Sequence, residues 1–349
     1  MSTTESGAAK RLLDFFRGEL VGAADISLSG LSADTHGLSR DHFIFDLHWT
    51  ESGSPHRREL ILIRDGDRPG QTDRASEFRL LRALESTGIP APKAFWCDAT
   101  AGLLERPFIV MERVSGVVTP SLSEAYPEDP SSRQTLAAQL AEILVALHGL
   151  DWQAIGLDFL RVPGYAPEDH ASQRVGELEG LALFLNPPAV LNRAVEWCRA
   201  RVPRTERLVV CHGDYKMDNV MHADGRVVAI LDWERARIGD PVEELAYATL
   251  PYLLSTGAAV GTLDPEAFLR RYSEGIGFAI DPKALFFWQV VHHALYAFYF
   301  MLLIEGARQR GAEALQHEEA TQRPLIGQLL DLIEAQLTSQ VNRSTSALL

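Results

Sequence analysis

The chain has 349 residues, roughly two domains at the usual ~150 residues each. Hydrophobic residues make up 46% and charged residues 23%, which excludes wholesale disorder and collagen-like repeats. With 33 basic and 47 acidic residues the formal net charge is −14, so neither nucleic acid nor an anionic membrane face is expected as a partner. That balance still allows an anionic substrate held by a few local cations or a metal ion.

The three cysteines, Cys97, Cys198 and Cys211, form no CxxC, and no zinc site or disulfide framework is expected. The N-terminus, MSTTESGAAKRLLDFF, lacks the long apolar core of a signal peptide, and the apolar stretch 294–304 is too short to span a bilayer. The expectation is a cytoplasmic protein, monomer or homodimer, without a membrane partner.

Helical periodicity is clear over 8–20, with Leu12, Leu13, Phe15 and Phe16 on a broad apolar face. Residues 42–49 alternate polar and apolar side chains, and 58–64 (RELILIR) read as a second strand. The Ser-Gly-Ser-Pro segment at 50–56 reads as their hairpin loop. A helix is expected over 76–86, stopped by Gly88 and the prolines at 90 and 92, with two further strands at 95–97 and 107–112. After Gly116 the character changes. Residues 131–148 form a strong amphipathic helix pattern, and 178–201 read as one or two helices broken near Pro187-Pro188. Strands at 207–211 and 227–232 are expected to pair around an Asp224-Gly225 turn. Helices follow over 243–254, 265–274, 282–309 and 324–340. The pattern is a β-rich N-terminal part, 1–113, and a larger helical part, 114–349.

The chemistry concentrates in HGDYKMDN (212–219), ILDWE (230–234) and GDP (239–241). A strand end delivers His212 and Asp214 into a loop. Asn219 lies five residues beyond Asp214, and Asp232 lies eighteen beyond it at the end of another strand. Phosphoryl transfer needs such a set. One carboxylate accepts or orients the proton of the attacking hydroxyl, while a carboxamide and a second carboxylate supply oxygen ligands to Mg²⁺.

These three linked elements resemble the motif of the aminoglycoside phosphotransferase and choline kinase families, small-molecule relatives of the protein kinases. The resemblance implies an α+β, protein-kinase-like two-lobed fold and ATP- or GTP-dependent, Mg²⁺-assisted phosphorylation of a hydroxyl on a small molecule. It assigns Asp214 as catalytic base, Asn219 and Asp232 as metal ligands, His212 as a brace of the loop and Asp240 as its anchor. Lys216 is placed to stabilise charge on the transferred group. A nucleotide-binding module without turnover is the alternative. GLSRDHFIFDLHW, RASEFRLLRALESTGIPAPKAFWC, RPFIVMERVSG and QLAEILVALHGLDW look like the branch of these kinases that includes domains fused to acyl-CoA dehydrogenases.

The same resemblance implies nucleotide contacts in the N-terminal part. Gly37, Leu38 and Ser39 would cover the phosphates. Arg64 would hold them where protein kinases use lysine, with Glu77, thirteen residues on, as its helix-borne partner. Met111, Glu112 and Arg113 would face the adenine through their backbone. Two departures stand out. Glu244 occupies a position where these families usually carry Asp, and His292-His293 fall where relatives often have a basic residue facing substrate. One of these histidines is expected to touch the acceptor.

Overall fold

The computed structural model describes residues 3–34, 40–66, 73–118, 130–161, 166–256 and 265–346. Gly37, Leu38 and Ser39 lie outside the described residues. In chain order the first half runs α1 (Thr3–Glu19), β1 (Ala24–Asp34), β2 (Arg40–Glu51), β3 (Ser54–Asp65), α2 (Arg74–Leu84), β4 (Ala94–Asp98), β5 (Phe108–Glu112), β6 (Val117–Val118), α3 (Pro130–His148), α4 (His170–Leu185) and α5 (Ala189–Arg199). The second half runs β7 (Val209–Cys211), β8 (Val220–Ala223), β9 (Arg226–Ile230), β10 (Arg237–Gly239), α6 (Pro241–Ala248), α7 (Pro251–Thr256), α8 (Pro265–Ile276), α9 (Pro282–Arg310) and α10 (Ala312–Ser346).

These elements group into two compact units. The first contains Met1–Val118, Asp151–Leu160 and Asn219–Ala236, and the second contains the remainder. The division is therefore not a single cut near 113, because the β8–β9 hairpin belongs with the N-terminal elements.

The first unit is built on an antiparallel five-stranded sheet in the order β1-β2-β3-β5-β4. Period-2 alternation turns Phe45, Leu47, Leu60, Leu62, Phe108 and Val110 to one face, where Leu12 and Phe16 of α1 complete the core. The loop between β2 and β3 is only Ser52-Gly53, shorter than the expected 50–56. Both residues have positive φ, 51° and 77°, the geometry of a two-residue turn that matches the strand twist and lets pairing run out to Glu51 and Ser54. Asp73 caps α2 by accepting from the Ser76 amide at 3.1 Å. A second sheet, β6-β8-β9, carries the 220–230 hairpin.

In the second unit β7 pairs with β10, with Val210 opposite Ile238. This corrects the expected pairing of 207–211 with 227–232. The Asp224-Gly225 turn instead joins β8 to β9, with Val220 opposite Ile230. The break expected near Pro187 is present, since Asn186 takes a left-handed conformation (φ 46°) and ends α4 before the two prolines. Helix α9 has the length and apolarity of a membrane-crossing segment, more than the stretch 294–304 suggested. Much of it is buried, with Phe287, Trp288, Val291, Ala294 and Phe298 in one core with α4, α5, α7 and α10, while Tyr299 is exposed.

Candidate active site

Strand β7 is wholly buried and runs into His212, Gly213 and Asp214. The turn there needs a positive φ, 83° at Gly213, which glycine adopts without steric cost. The loop is pinned from several sides. The His212 ring accepts the Asp214 amide through Nδ1 at 3.2 Å, so the histidine stiffens the turn from within. Tyr215 is buried and donates its hydroxyl to the Leu140 carbonyl of α3 at 2.9 Å. Lys216 Nζ lies 3.2 Å from Asp214 Oδ2. Burial pulls the Lys216 pKa down, but the adjacent Asp214 carboxylate outweighs it and holds the value above the ordinary lysine range, so the cation is retained.

Helix α6 presents Glu244 and Tyr247, three residues apart on one face, to this region, with Asp240 as its N-cap. Asp240 was expected to anchor the loop. It instead caps α6, accepting the Val242 amide at 2.8 Å, and accepts the Thr205 hydroxyl at 2.7 Å. The anchor is Glu244, one turn further on. Its carboxylate accepts the amides of both His212 and Gly213 at 2.7 Å. Tyr247 donates its hydroxyl to Asp214 Oδ1.

Behind Glu244, His148 of α3 lies with Nε2 3.3 Å from Glu244 Oε2 and Nδ1 2.7 Å from the Tyr272 hydroxyl. Burial raises the Glu244 pKa, but the His148 hydrogen bond and nearby positive charge outweigh it and leave the value below the ordinary glutamate range. His148, Cys211 and Glu244 bring ligand-type atoms within 4.8 Å of one another. The Glu244 oxygens are already occupied by two amides, the histidine by Tyr272 and Glu244, and burial pushes the Cys211 thiol well up, so it stays protonated. The trio is a packed polar cluster whose histidine and carboxylate are already hydrogen-bonded to protein groups.

The two histidines of α9 are core residues, which corrects the expected acceptor contact. His292 Nε2 pairs with the Glu243 carbonyl at 3.1 Å and its ring meets Tyr247 edge-on at 5.2 Å. His293 accepts the Tyr252 amide at 3.3 Å and pairs with Gln336 at 2.8 Å. Burial pushes both pKa values down to about 4, so both stay neutral at ordinary pH.

In the first unit the expected metal ligands sit together by strand register. The Leu231 amide donates to the Asn219 carbonyl at 2.8 Å, so Asn219 and Asp232 lie at the open end of the β8–β9 hairpin. Asp232 is held in a left-handed conformation (φ 66°), which aspartate tolerates better than most residues. A carboxamide and a carboxylate are hard oxygen donors, the set that suits Mg²⁺.

The cation arrangement differs from the expected Arg64–Glu77 pair. Arg64 is bound by Asp41 of β2, 2.5 Å from its carboxylate. Glu77 is bound by Arg74 at 2.5 Å, and Arg74 also reaches Asp65 at 2.5 Å. Arg74 lies one turn before Glu77 on the same helix and is fully buried, so geometry favours it over a residue on a neighbouring strand. Of the expected adenine contacts, Met111 pairs with Ile61 within the sheet. The amides of Glu112 and Arg113 donate to the carbonyls of Lys93 at 2.8 Å and Glu59 at 3.1 Å. Those two donors are thus committed to the unit's own backbone.

Residues 50–286 match the family model described as the phosphotransferase enzyme family. The chain belongs to that family. A mouse acyl-CoA dehydrogenase family member 10 is 31% identical over 187 residues, 51% of this chain and 17% of that protein. The chain thus corresponds to a small part of that relative. An aminoglycoside 3'-phosphotransferase of Streptomyces fradiae is 29% identical over 225 residues, 63% of this chain and 78% of the relative. Among solved structures, a macrolide 2'-phosphotransferase of Brachybacterium faecium superposes with a TM-score of 0.60 at 19% identity, covering 90% of this chain and 98% of the other. The fold is α+β and kinase-like, and the family supports a phosphotransferase acting on a small molecule.

Proposed function

We propose that this phosphotransferase moves the γ-phosphoryl group of ATP to a hydroxyl of a small molecule. The observation that carries the reading is the pinned loop. Asp214 has its two carboxylate oxygens in distinct environments, Tyr247 at Oδ1 and Lys216 at Oδ2, on a turn held by the Glu244 carboxylate. In the proposed reaction the acceptor oxygen attacks the γ-phosphorus and the bond to the β–γ bridging oxygen breaks, leaving ADP. Asp214 takes the hydroxyl proton, and the loop's rigidity keeps that carboxylate aimed. Lys216 offsets negative charge on the transferred group. Bound Mg²⁺ would be held by Asn219 and Asp232 and would neutralise phosphate charge. Arg64 contributes to phosphate binding by exchanging its Asp41 contact for the nucleotide.

Lys216 beside the base works against an amine next to the reacting hydroxyl. Neutral or anionic hydroxyl compounds are therefore favoured over polycationic aminoglycosides. A screen of ATP consumption over antibiotics, amino alcohols, sugars and hydroxyacyl thioesters, with Asp214→Ala as control, tests this. Turnover with a neutral or anionic acceptor that vanishes in Asp214→Ala supports the reading, and equal turnover in that variant refutes it.

A further inference from the structure

We propose that Tyr247 is a positioning residue for Asp214, and that Tyr296 completes a hydroxyl chain which fixes the rotation of that carboxylate. The proposal rests on Asp214 being the base. It starts from a count of protons. An ionised carboxylate only accepts, and a phenol carries one hydrogen. Tyr247 gives its hydrogen to Asp214 Oδ1. Its second contact, 2.7 Å to the Tyr296 hydroxyl, must then have Tyr296 as donor. The chain therefore runs Tyr296 to Tyr247 to Asp214, each bond polarising the next.

The rings make the chain stiff. Tyr247 and Tyr296 stack at 6.1 Å with 12° between their planes, and His292 packs edge-on against Tyr247 at 5.2 Å. His292 is itself tied to the Glu243 carbonyl. Tyr247 is buried and burial raises its pKa well above the tyrosine range, so it stays a neutral donor. Oδ1 of Asp214 is thus tethered to helices α6 and α9, while Oδ2 faces Lys216 of its own loop. Without the tether the carboxylate turns about its Cβ–Cγ bond, and misalignment of about 1 Å costs about a hundredfold in rate.

The test uses the full chain with Mg·ATP and water as the nucleophile, reading released inorganic phosphate. Tyr247→Phe is expected to lower kcat about tenfold to a hundredfold, the worth of a hydrogen bond to a charged group, with the KM for ATP unchanged. Tyr296→Phe is expected to lower kcat by less, and to add nothing in the Tyr247→Phe background. A loss of packing alone would instead move melting temperature and leave the two effects additive. Full kcat in Tyr247→Phe beside an inactive Asp214→Asn overturns the proposal and leaves the base assignment standing. Full kcat in Asp214→Asn overturns the base assignment itself. A second measurement is independent of turnover and of whether Tyr247→Phe folds. In protein grown with 3-fluorotyrosine, Asp214→Asn should shift the ¹⁹F resonances of Tyr247 and Tyr296 together, assigned by Tyr296→Phe. Resonances of both tyrosines unmoved by Asp214→Asn would overturn the chain.

Discussion

Replacing Glu244 by alanine removes the one acceptor shared by the His212 and Gly213 amides, each at 2.7 Å from its carboxylate. Glu244 and His212 are buried and Gly213 is half-buried, so water substitutes poorly at the first amide and better at the second. A buried donor left without a partner costs about 1–3 kcal/mol, and with the half-buried amide adding less the total is about 2–4 kcal/mol. Set against a typical whole stability of about 5–15 kcal/mol, that is a large share. At about 2–4 °C per kcal/mol for a large domain, the melting temperature should fall by at least about 4 °C. Glu244→Gln keeps one acceptor oxygen but points an amide donor at the second backbone N–H, so it should fall in between. Urea midpoints and thermal melts check both. The pH dependence has a definite sign. The folded-state pKa lies below the ordinary value of 4.5, so the Glu244 contribution is complete above that value and is lost as pH falls through the folded pKa. The gap between wild type and Glu244→Ala should be constant from pH 8 to about 5 and shrink in acid. A stability loss under about 1 kcal/mol in Glu244→Ala would refute the reasoning, because both amides donate to that carboxylate.

Glu77→Ala removes one of the two carboxylates that hold the fully buried Arg74, with Asp65 remaining, and should cost about 1.5–3 kcal/mol, whereas a double-mutant cycle between Arg64 and Glu77 should show no coupling beyond about 0.5 kcal/mol. A Cβ added at Gly116 would sit 2.7 Å from Met221 Cγ and 3.0 Å from the His222 carbonyl, so Gly116→Ala should destabilise by about 1–3 kcal/mol in denaturant titrations. Asp240→Ala removes the α6 cap and the Thr205 acceptor and should cost about 1–2 kcal/mol, with Asp240→Asn recovering most of it.

The sequence was most informative where chemistry and local geometry coincide. HGDYKMDN carries its own turn glycine and its own brace in His212, and the fold places them as that spacing implies. The open end of the β8–β9 hairpin brings Asn219 and the chain before Asp232 side by side, a consequence of strand register. Residues held by tertiary contact were harder to read. Glu244 and Tyr247 share a face of α6 at helical spacing, which signals a common target, but only packing shows that the target is the 212–214 turn. The choice between Arg64 and Arg74 as partner of Glu77 turns on distances that charge pattern does not encode. His292 and His293 misled because they lie in the buried part of an apolar helix, where polar groups pair inside the core. The β7–β10 pairing joins strands across an intervening hairpin, so local turn signals pointed to the wrong neighbour.

The central claim is that Asp214 takes the proton of a small-molecule hydroxyl during phosphoryl transfer. Its most direct measurement follows γ-labelled ATP in wild type and in Asp214→Asn, alongside the affinity of each for a non-hydrolysable ATP analogue. The account predicts label on a small molecule with wild type, none with Asp214→Asn, and equal analogue affinity for the two. Equal label transfer by the two proteins would contradict it.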